Sequence, residues 1–226
     1  MTVDLDTVHD AGARLATAAA RLSEMGWMRG TSGNLSEVLQ RDPLLLAVTA
    51  SGVDKGELDR TAVVVVDELG AAVPVEGLAP NRPSAEAALH ALVAAHTGAG
   101  AVVHVHAMSG VVAAERWPTG VVLHDLEMLK GIGRRADDEV VVPVIMNSQS
   151  MAELGERFVA AHDAAVPAVL VARHGMYAWG ATIVEARHHA EALEWALGFA
   201  VAVAPSDGGI RSPAPASVPT STLEAI

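Results

Sequence analysis

Two histidines separated by a single residue are the strongest chemical signal in the sequence. His104 and His106 lie at the end of the Val-rich segment 101–105, which reads as a short β-strand. Alternate residues of a strand face the same side, so the two imidazoles would lie about 6 to 7 Å apart at their Cα atoms and could converge on one ion. A His-x-His pair on a strand is more often solvent-facing or hydrogen-bonded than metal-binding, so the spacing alone leaves both interpretations open.

A third imidazole would complete a metal site. His174 follows the predicted strand 168–171, at a strand-to-loop junction where a side chain can point into a cleft. Three histidines with one open position are a recurrent catalytic zinc arrangement. The chain contains no Cys, so transition-metal ligands must be His or carboxylate. Neutral imidazoles suit zinc, although they do not by themselves separate zinc from iron or manganese.

Two short glycine-containing segments offer groups that could hold a phosphate. Residues 31–34 (TSGN) and 49–52 (TASG) each combine hydroxyls and backbone N–H groups with a glycine that permits close approach. Ser84 begins a predicted helix, whose N-terminal dipole favours an anion. Each segment taken singly is typical of an ordinary turn. Together they predict a phosphate-binding set formed by Asn34, Ser51, Gly52 and Ser84.

Two carboxylates are candidates for moving protons. Glu86 lies two residues after Ser84, in the predicted first turn of the same helix, and Glu127 lies in the segment 124–131 (HDLEMLKG). A carboxyl group that is partly desolvated has a raised pKa and can act as a general acid or base. Most Glu side chains are simply solvated, so the local sequence alone does not choose between the two.

The apolar pattern predicts an α/β fold. Apolar residues make up 51% of the chain but aromatic residues only 3%, which favours a core of Ala, Val and Leu in which helices pack on a Val-rich sheet. Helical spacing of apolar residues predicts helices at 4–25, 83–95, 109–116, 151–164 and 183–203. Short apolar runs predict strands at 44–48, 62–67, 101–105, 140–145 and 168–171.

Length and charge limit the number of domains and the kinds of partner that the chain can have. We expect one domain over residues 1–204 and a flexible tail over 205–226, where Pro, Ser, Ala and Gly replace any periodic apolar face. The net charge of −12 and the absence of a Lys/Arg cluster argue against a nucleic-acid partner. No apolar run is long enough to span a bilayer and the first residues are acidic, so we expect no membrane association and a cytoplasmic location.

Five motifs, taken in order, resemble those of a known family. They are SGN at 32–34, TASG at 49–52, PSAE at 83–86, HVH at 104–106 and RHG at 173–175. In this order they resemble the class II aldolase family of zinc-dependent sugar-phosphate aldolases, epimerases and dehydratases, over the chain up to about residue 204. The resemblance implies a three-layer α-β-α fold with a mostly antiparallel central sheet. It also implies one Zn²⁺ per subunit on His104, His106 and His174, a small phosphorylated ketose as substrate, and a homotetramer with active sites at subunit interfaces.

Further segments separate the reactions within that family. Residues 31–36, 49–56, 124–132 and 174–180 resemble the dehydratases, which implies that Glu127 supplies the acid/base carboxylate. Glu86 stands where the aldolases carry theirs. The aldolases also use a Tyr near the C-terminus, whereas the only Tyr here is Tyr177, and this counts against a fuculose-phosphate-type aldolase. A sugar-phosphate aldolase or epimerase and a noncatalytic metal-binding scaffold remain the alternatives.

Overall fold

The computed structural model of the protein describes residues 3–204. The helices are α1 (Leu5–Glu24), α2 (Ala87–Thr97), α3 (Met108–Arg116), α4 (Met151–Ala161) and α5 (Ile183–Val203), with a 3₁₀-helix at Glu127–Ile132. The strands are β1 (Asn34–Arg41), β2 (Leu44–Thr49), β3 (Val63–Val66), β4 (Ala101–Val105), β5 (Val121–His124), β6 (Glu139–Val142), β7 (Val144–Ile145), β8 (Ala168–Val171) and β9 (Gly175–Gly180). The predicted tail at 205–226 lies outside the described residues.

Seven of the strands form one central sheet in the order β3-β2-β1-β4-β9-β8-β7. Every neighbouring pair in it is antiparallel except β7 and β8, which are parallel. Strands β5 and β6 form a separate antiparallel pair. The predicted α/β class and mostly antiparallel sheet are confirmed.

The sheet separates two apolar cores. Alternation along β4 directs Val103 and Val105 to one side, where they join apolar residues of α1, α3 and α5. Val102 points to the other side and packs with apolar residues of α2 and α4. Helices therefore cover both faces of the sheet, which is the predicted three-layer arrangement.

The long helices α1 and α5 are fixed at their N-termini by side-chain caps. The Asp4 carboxylate accepts a hydrogen bond from the Thr7 backbone N–H at 2.8 Å. The Thr182 hydroxyl accepts one from the Glu185 N–H at 3.2 Å. Both caps satisfy donors that have no partner within the helix. Within residues 3–204, no helix has both the length and the hydropathy needed to cross a membrane.

The predicted strand at 140–145 is wrong as a single element. Pro143 divides it, so that β6 pairs with β5 while β7 joins the edge of the central sheet. Proline has no N–H to donate to a ladder and therefore interrupts strand pairing, although the Pro143 carbonyl still accepts from Leu170 N at 2.9 Å.

The predicted start of the second helix is also wrong. The α-helix begins at Ala87 rather than at Pro83. Residues 84–86 instead form a turn in which the Ser84 hydroxyl accepts a hydrogen bond from Glu86 N at 3.2 Å. Local hydroxyl-to-backbone bonds of this kind compete with helix formation. As a result, Ser84 and Glu86 lie on the loop that leads into α2, where both side chains face a cavity.

Candidate active site

The three predicted metal ligands meet at one end of the central sheet. His104 is on β4, His106 directly follows it, and His174 lies in the tight turn between β8 and β9. His104 Nε2 lies 2.9 Å from His106 Nε2 and 3.2 Å from His174 Nε2. Zn–N bonds of about 2.0–2.1 Å in a tetrahedral site would hold such nitrogens roughly 3.3 Å apart. The separations therefore suit three ligands of one ion.

Hydrogen bonding fixes which nitrogen of His104 carries the proton. Its Nδ1 lies 3.1 Å from the Met176 carbonyl oxygen, which can only accept. In the neutral imidazole, Nδ1 is then the donor and Nε2 carries a free lone pair. That lone pair points at the other two imidazole nitrogens, an arrangement that a cation stabilises. The donor set of this site thus fits a metal ion.

Burial favours the neutral form of the His104 and His106 imidazoles. His104 is fully buried, and this lowers its pKa from 6.5 to about 3 despite the attraction of Glu86. Burial also lowers the pKa of His106, and the neighbouring His174 acts in the same direction. Imidazole must be unprotonated to bind a metal, so both residues are ready to act as ligands at neutral pH.

A single carboxylate faces the three imidazoles. Glu86 Oε1 lies 3.2 Å from His174 Nε2, and Oε2 lies 3.5 Å from His104 Nε2. The Asn34 amide donates to Oε2 at 2.6 Å. Burial raises the pKa of Glu86, but the nearby imidazoles and the Asn34 hydrogen bond outweigh it and bring the pKa to about 2. Glu86 is therefore ionised, and its negative charge adds to the field that attracts a cation.

A buried hydrogen-bonded chain stands behind Glu86, and sequence reasoning missed its central member. His90 is fully buried on α2, with Nε2 against the Asn34 side-chain oxygen at 2.5 Å and Nδ1 against the Ser36 hydroxyl at 2.7 Å. Because the Asn34 oxygen accepts from His90, its NH₂ group is turned towards Glu86. The spacing of four residues between Glu86 and His90, one helical turn, was the signal available in the sequence.

Tyr177 on β9 lies beside His104 in the central sheet. It pairs with His104 across β4 and β9, and the two rings stack with centroids 4.0 Å apart. Burial raises the pKa of Tyr177 well above its ordinary value, and the Glu86 carboxylate adds to the shift. Its hydroxyl is buried beside the Glu86 carboxylate. Tyr177 is thus a neutral phenol that supports His104.

The predicted phosphate-binding residues line the same cavity, of about 480 Å³, as His106, His174 and Glu86. Ser51 accepts a hydrogen bond from the Arg82 guanidinium at 3.1 Å, and Gly52 has φ +79° with open space where a Cβ would stand. Asn34 reaches the cavity too, but both ends of its amide are already bonded to Glu86 and His90. The structure therefore brings the loops and the imidazoles together at one opening.

Further polar residues of the cavity escaped the sequence analysis, among them Lys55, Arg82 and Asn147. Lys55 and Arg82 line it beside the two glycine loops, and Asn147 lines it from the loop between β7 and α4. The Asn147 side-chain oxygen is buried without a hydrogen-bond partner among residues 3–204. No spacing rule joins these positions, because they meet only through the fold.

Glu127 lies apart from this group within a single chain. It begins the 3₁₀-helix, its side chain is 75% exposed, and its carboxylate pairs with Lys130 at 2.6 Å. It is not among the residues that line the cavity. The single chain therefore brings Glu86, but not Glu127, to the imidazoles.

Comparison with known proteins agrees with this fold. The family described as Class II Aldolase and Adducin N-terminal domain matches residues 13–201. The methylthioribulose-1-phosphate dehydratase of Sulfurihydrogenibium sp. (strain YO3AOP1) is 39% identical over 178 residues, which cover 77% of this chain and 81% of that protein. The enzyme of the same name from Serratia proteamaculans (strain 568) is 39% identical over 189 residues, 80% of this chain and 89% of that protein. The L-fuculose-1-phosphate aldolase of Thermus thermophilus shares the fold, with a TM-score of 0.65 at 22% identity over 86% of this chain and 93% of that one.

Proposed function

The chain belongs to the class II aldolase and adducin N-terminal domain family, and on that premise we propose that it is a dehydratase. Its substrate would be 5-methylthioribulose 1-phosphate, and its products 2,3-diketo-5-methylthiopentyl 1-phosphate and water. Relatives that carry the dehydratase name align over most of the chain. A substrate that carries a methylthio group would assign the reaction to methionine salvage.

The observation that carries the proposal is the convergence of the three imidazole nitrogens beside the phosphate loops. His104, His106 and His174 are one group whose ligand atoms lie within 4.8 Å of one another. They would hold one Zn²⁺ per subunit, which is the ion that best suits neutral imidazoles in a tetrahedral set. When bound, the ion would polarise the C2 carbonyl of the ketose and so acidify the proton on C3.

The protein side chains would bind the substrate and move its protons. Ser51, Gly52 and Ser84, with the remaining N–H of Asn34, would hold the phosphate and fix the distance from C1 to the imidazoles. A carboxylate removes the C3 proton and leaves an enediolate. The same carboxyl group then returns the proton to the C4 hydroxyl, which departs as water, and the resulting enol ketonises to the diketone.

Two carboxylates would divide these roles between subunits. The Glu86 carboxylate oxygen Oε1 lies 3.2 Å from His174 Nε2. Glu86 would therefore lie next to the carbonyl end of the bound substrate. Glu127, the principal acid/base in this proposal, is exposed and does not line the cavity of its own chain. It would therefore act on the cavity of a neighbouring subunit. This arrangement agrees with a homotetramer whose active sites lie at subunit interfaces.

Mixing two inactive variants tests this division. Glu127→Gln alone should lower kcat by about 10²- to 10⁴-fold, the usual contribution of a general acid/base. His104→Ala alone should remove the metal. In hybrid oligomers of these two chains, some sites pair intact imidazoles with an intact Glu127 of the neighbour. Random mixing should then restore up to about a quarter of the wild-type activity.

The matched control mixes His104→Ala with His106→Ala. Both positions belong to the same chain's cavity, so no hybrid site is intact and no activity should return. If the Glu127→Gln and His104→Ala mixture also stays inactive while hybrid oligomers form, Glu127 does not act across subunits.

A sugar-phosphate aldolase is the second candidate, and the position of Glu86 is what favours it. Its carboxylate faces the imidazoles, as a base for carbon–carbon cleavage would. Glu86→Gln and Glu127→Gln separate the two functions. An aldolase should depend chiefly on Glu86 and should yield two carbon fragments, whereas the dehydratase should lose its activity with Glu127→Gln and yield a single diketone.

A further inference from the structure

Lys55 is a buried cation at the wall of the cavity. Its side chain is among the largest that are fully buried, and the residue is only 2% exposed. The ammonium group donates to the Val53 carbonyl at 2.8 Å and to the Thr31 carbonyl at 3.1 Å. Thr31 belongs to the loop 31–34, and Val53 directly follows the loop 49–52, so Lys55 ties the two loops to each other beside the cavity.

The charge of Lys55 has no direct counter-ion. Within the described range 3–204, no carboxylate oxygen lies within 4.0 Å of its ammonium nitrogen. The neighbouring Asp54 uses its carboxylate to accept from Gly56 N at 2.8 Å. Burial lowers the pKa of Lys55, and the attraction of Asp54 only partly opposes this. Burying a charge without a partner costs free energy, and proteins accept that cost where a ligand supplies the partner.

The bonding capacity of the ammonium group is also incomplete. A lysine ammonium has three N–H donors, and here two are used on carbonyl oxygens. We propose that the third N–H of Lys55 binds the phosphate group of the substrate, and that Lys55 is the residue that neutralises its charge between the two glycine loops. This inference rests on the proposed function only in taking a phosphorylated ligand as the occupant of the cavity.

The other cations of the cavity are exposed to solvent, whereas Lys55 is buried. Arg82 is exposed and donates a hydrogen bond to the Ser51 hydroxyl. Arg173 is 78% exposed and forms a two-bonded pair with Glu115. In an acidic chain of net charge −12, a buried ammonium without a carboxylate partner is the group best suited to hold a dianion.

The lysine content of the chain permits a direct test on the unaltered protein. Lys55 and Lys130 are its only lysines, and Lys130 is on the surface, paired with Glu127. Lysine labelled with ¹³C at Cε therefore gives two NMR signals. Titrating zinc-loaded protein with inorganic phosphate should shift the Lys55 signal and leave that of Lys130 in place. An unchanged Lys55 signal at saturating phosphate would overturn the proposal.

Two variants distinguish the charge of Lys55 from its hydrogen bonds to the two loops. Lys55→Gln keeps N–H donors for the two carbonyls but removes the charge. Its dissociation constant for inorganic phosphate, measured by calorimetry, should rise by about 10- to 100-fold, the range of a charged hydrogen bond. Arg60→Gln, which removes one exposed charge from the same connection between β2 and β3, should leave it unchanged. Wild-type affinity in Lys55→Gln would show that Lys55 only supports the loops, and the proposal would fail.

These measurements involve no turnover and so are independent of the reaction. If phosphate binds through Lys55 but no ketose phosphate is dehydrated, the proposed function fails and the Lys55 site stands. If dehydration occurs and Lys55→Gln binds phosphate as the wild type does, the proposed function stands and the Lys55 proposal fails.

Discussion

The two faces of β4 carry opposite kinds of chemistry. Val103 and Val105 point towards α1, α3 and α5 into a core built largely of apolar side chains. His104, one residue away and equally buried, points to the other face, where Ser36, Asn34 and His90 are buried as well. Neighbouring residues of one strand thus serve a packed core and a polar site.

The difference shows how a buried polar site is tolerated. On the polar face, each of these side chains bonds to the next, from Ser36 through His90 and Asn34 to Glu86. Buried polar groups are costly only when they lack partners. The series of bonded side chains ends at Glu86 and the imidazoles, where a cation would complete it. The apolar cores on both sides of the sheet provide stability, and the polar cluster around His104 provides orientation.

The largest effect is expected for His104→Ala. Removing the central imidazole should abolish zinc binding and lower activity by well over 100-fold, beyond what changes outside the ligand set produce. Zinc content after equilibrium dialysis and the rate of diketone formation measure this. His188→Ala, which alters an exposed imidazole on α5, is the control and should match the wild type. Retained stoichiometric zinc in His104→Ala would contradict the assignment of the ligand.

The polar face should also make the protein sensitive to acid. Burial lowers the pKa of His90 from 6.5 to about 4, and Glu86 opposes this only in part. Between these pH values the unfolded chain binds the proton and the folded one does not. The stability that neutral His90 contributes is therefore complete above pH 6.5 and is lost as the pH falls towards 4, by up to about 3 kcal/mol.

The variant His90→Gln checks this sensitivity. Glutamine cannot titrate, so denaturant unfolding at pH 7, 6, 5 and 4 should show a smaller loss of stability than in the wild type. Contributions from the three metal-site histidines are common to both proteins and cancel in the comparison. If the free energy of unfolding falls with pH equally in the wild type and in His90→Gln, the fold does not hold His90 neutral.

The smallest effect is expected on the apolar face. Val103→Ala should lower the free energy of unfolding by about 2 kcal/mol, because it removes buried methyl groups and leaves a small cavity. Zinc content and kcat should remain those of the wild type. Unfolding curves and kinetics measured on the same preparation provide the test, and His104→Ala is the matching variant on the opposite face. A large loss of kcat in Val103→Ala would show that the two faces do not have separate roles.

Sequence reasoning reached the fold and the metal ligands by different routes. Helical periodicity located all five helices, and the motif order indicated the three-layer architecture. The search for short apolar runs missed the strands β1, β5 and β9. Strand β1 mixes polar with apolar residues, and β9 begins and ends with glycine. The pair His104 and His106 followed from alternation on a strand, whereas His174 was placed by its strand-end position and by resemblance.

The rest of the site depends on tertiary contacts that local patterns do not encode. His90 lies on a helix whose other residues are mostly apolar, and its role appears only when Asn34 from β1 lies beside it. Lys55 is part of a polar loop, and only the fold buries it. The place of Glu127 depends on how subunits assemble and stays a prediction.

The central claim is tested most directly by incubating zinc-loaded protein with 5-methylthioribulose 1-phosphate and identifying the product. The account predicts zinc-dependent formation of 2,3-diketo-5-methylthiopentyl 1-phosphate, with one water released per turnover and none formed by His104→Ala. Cleavage into two carbon fragments, or no reaction by protein with a full complement of zinc, would contradict it.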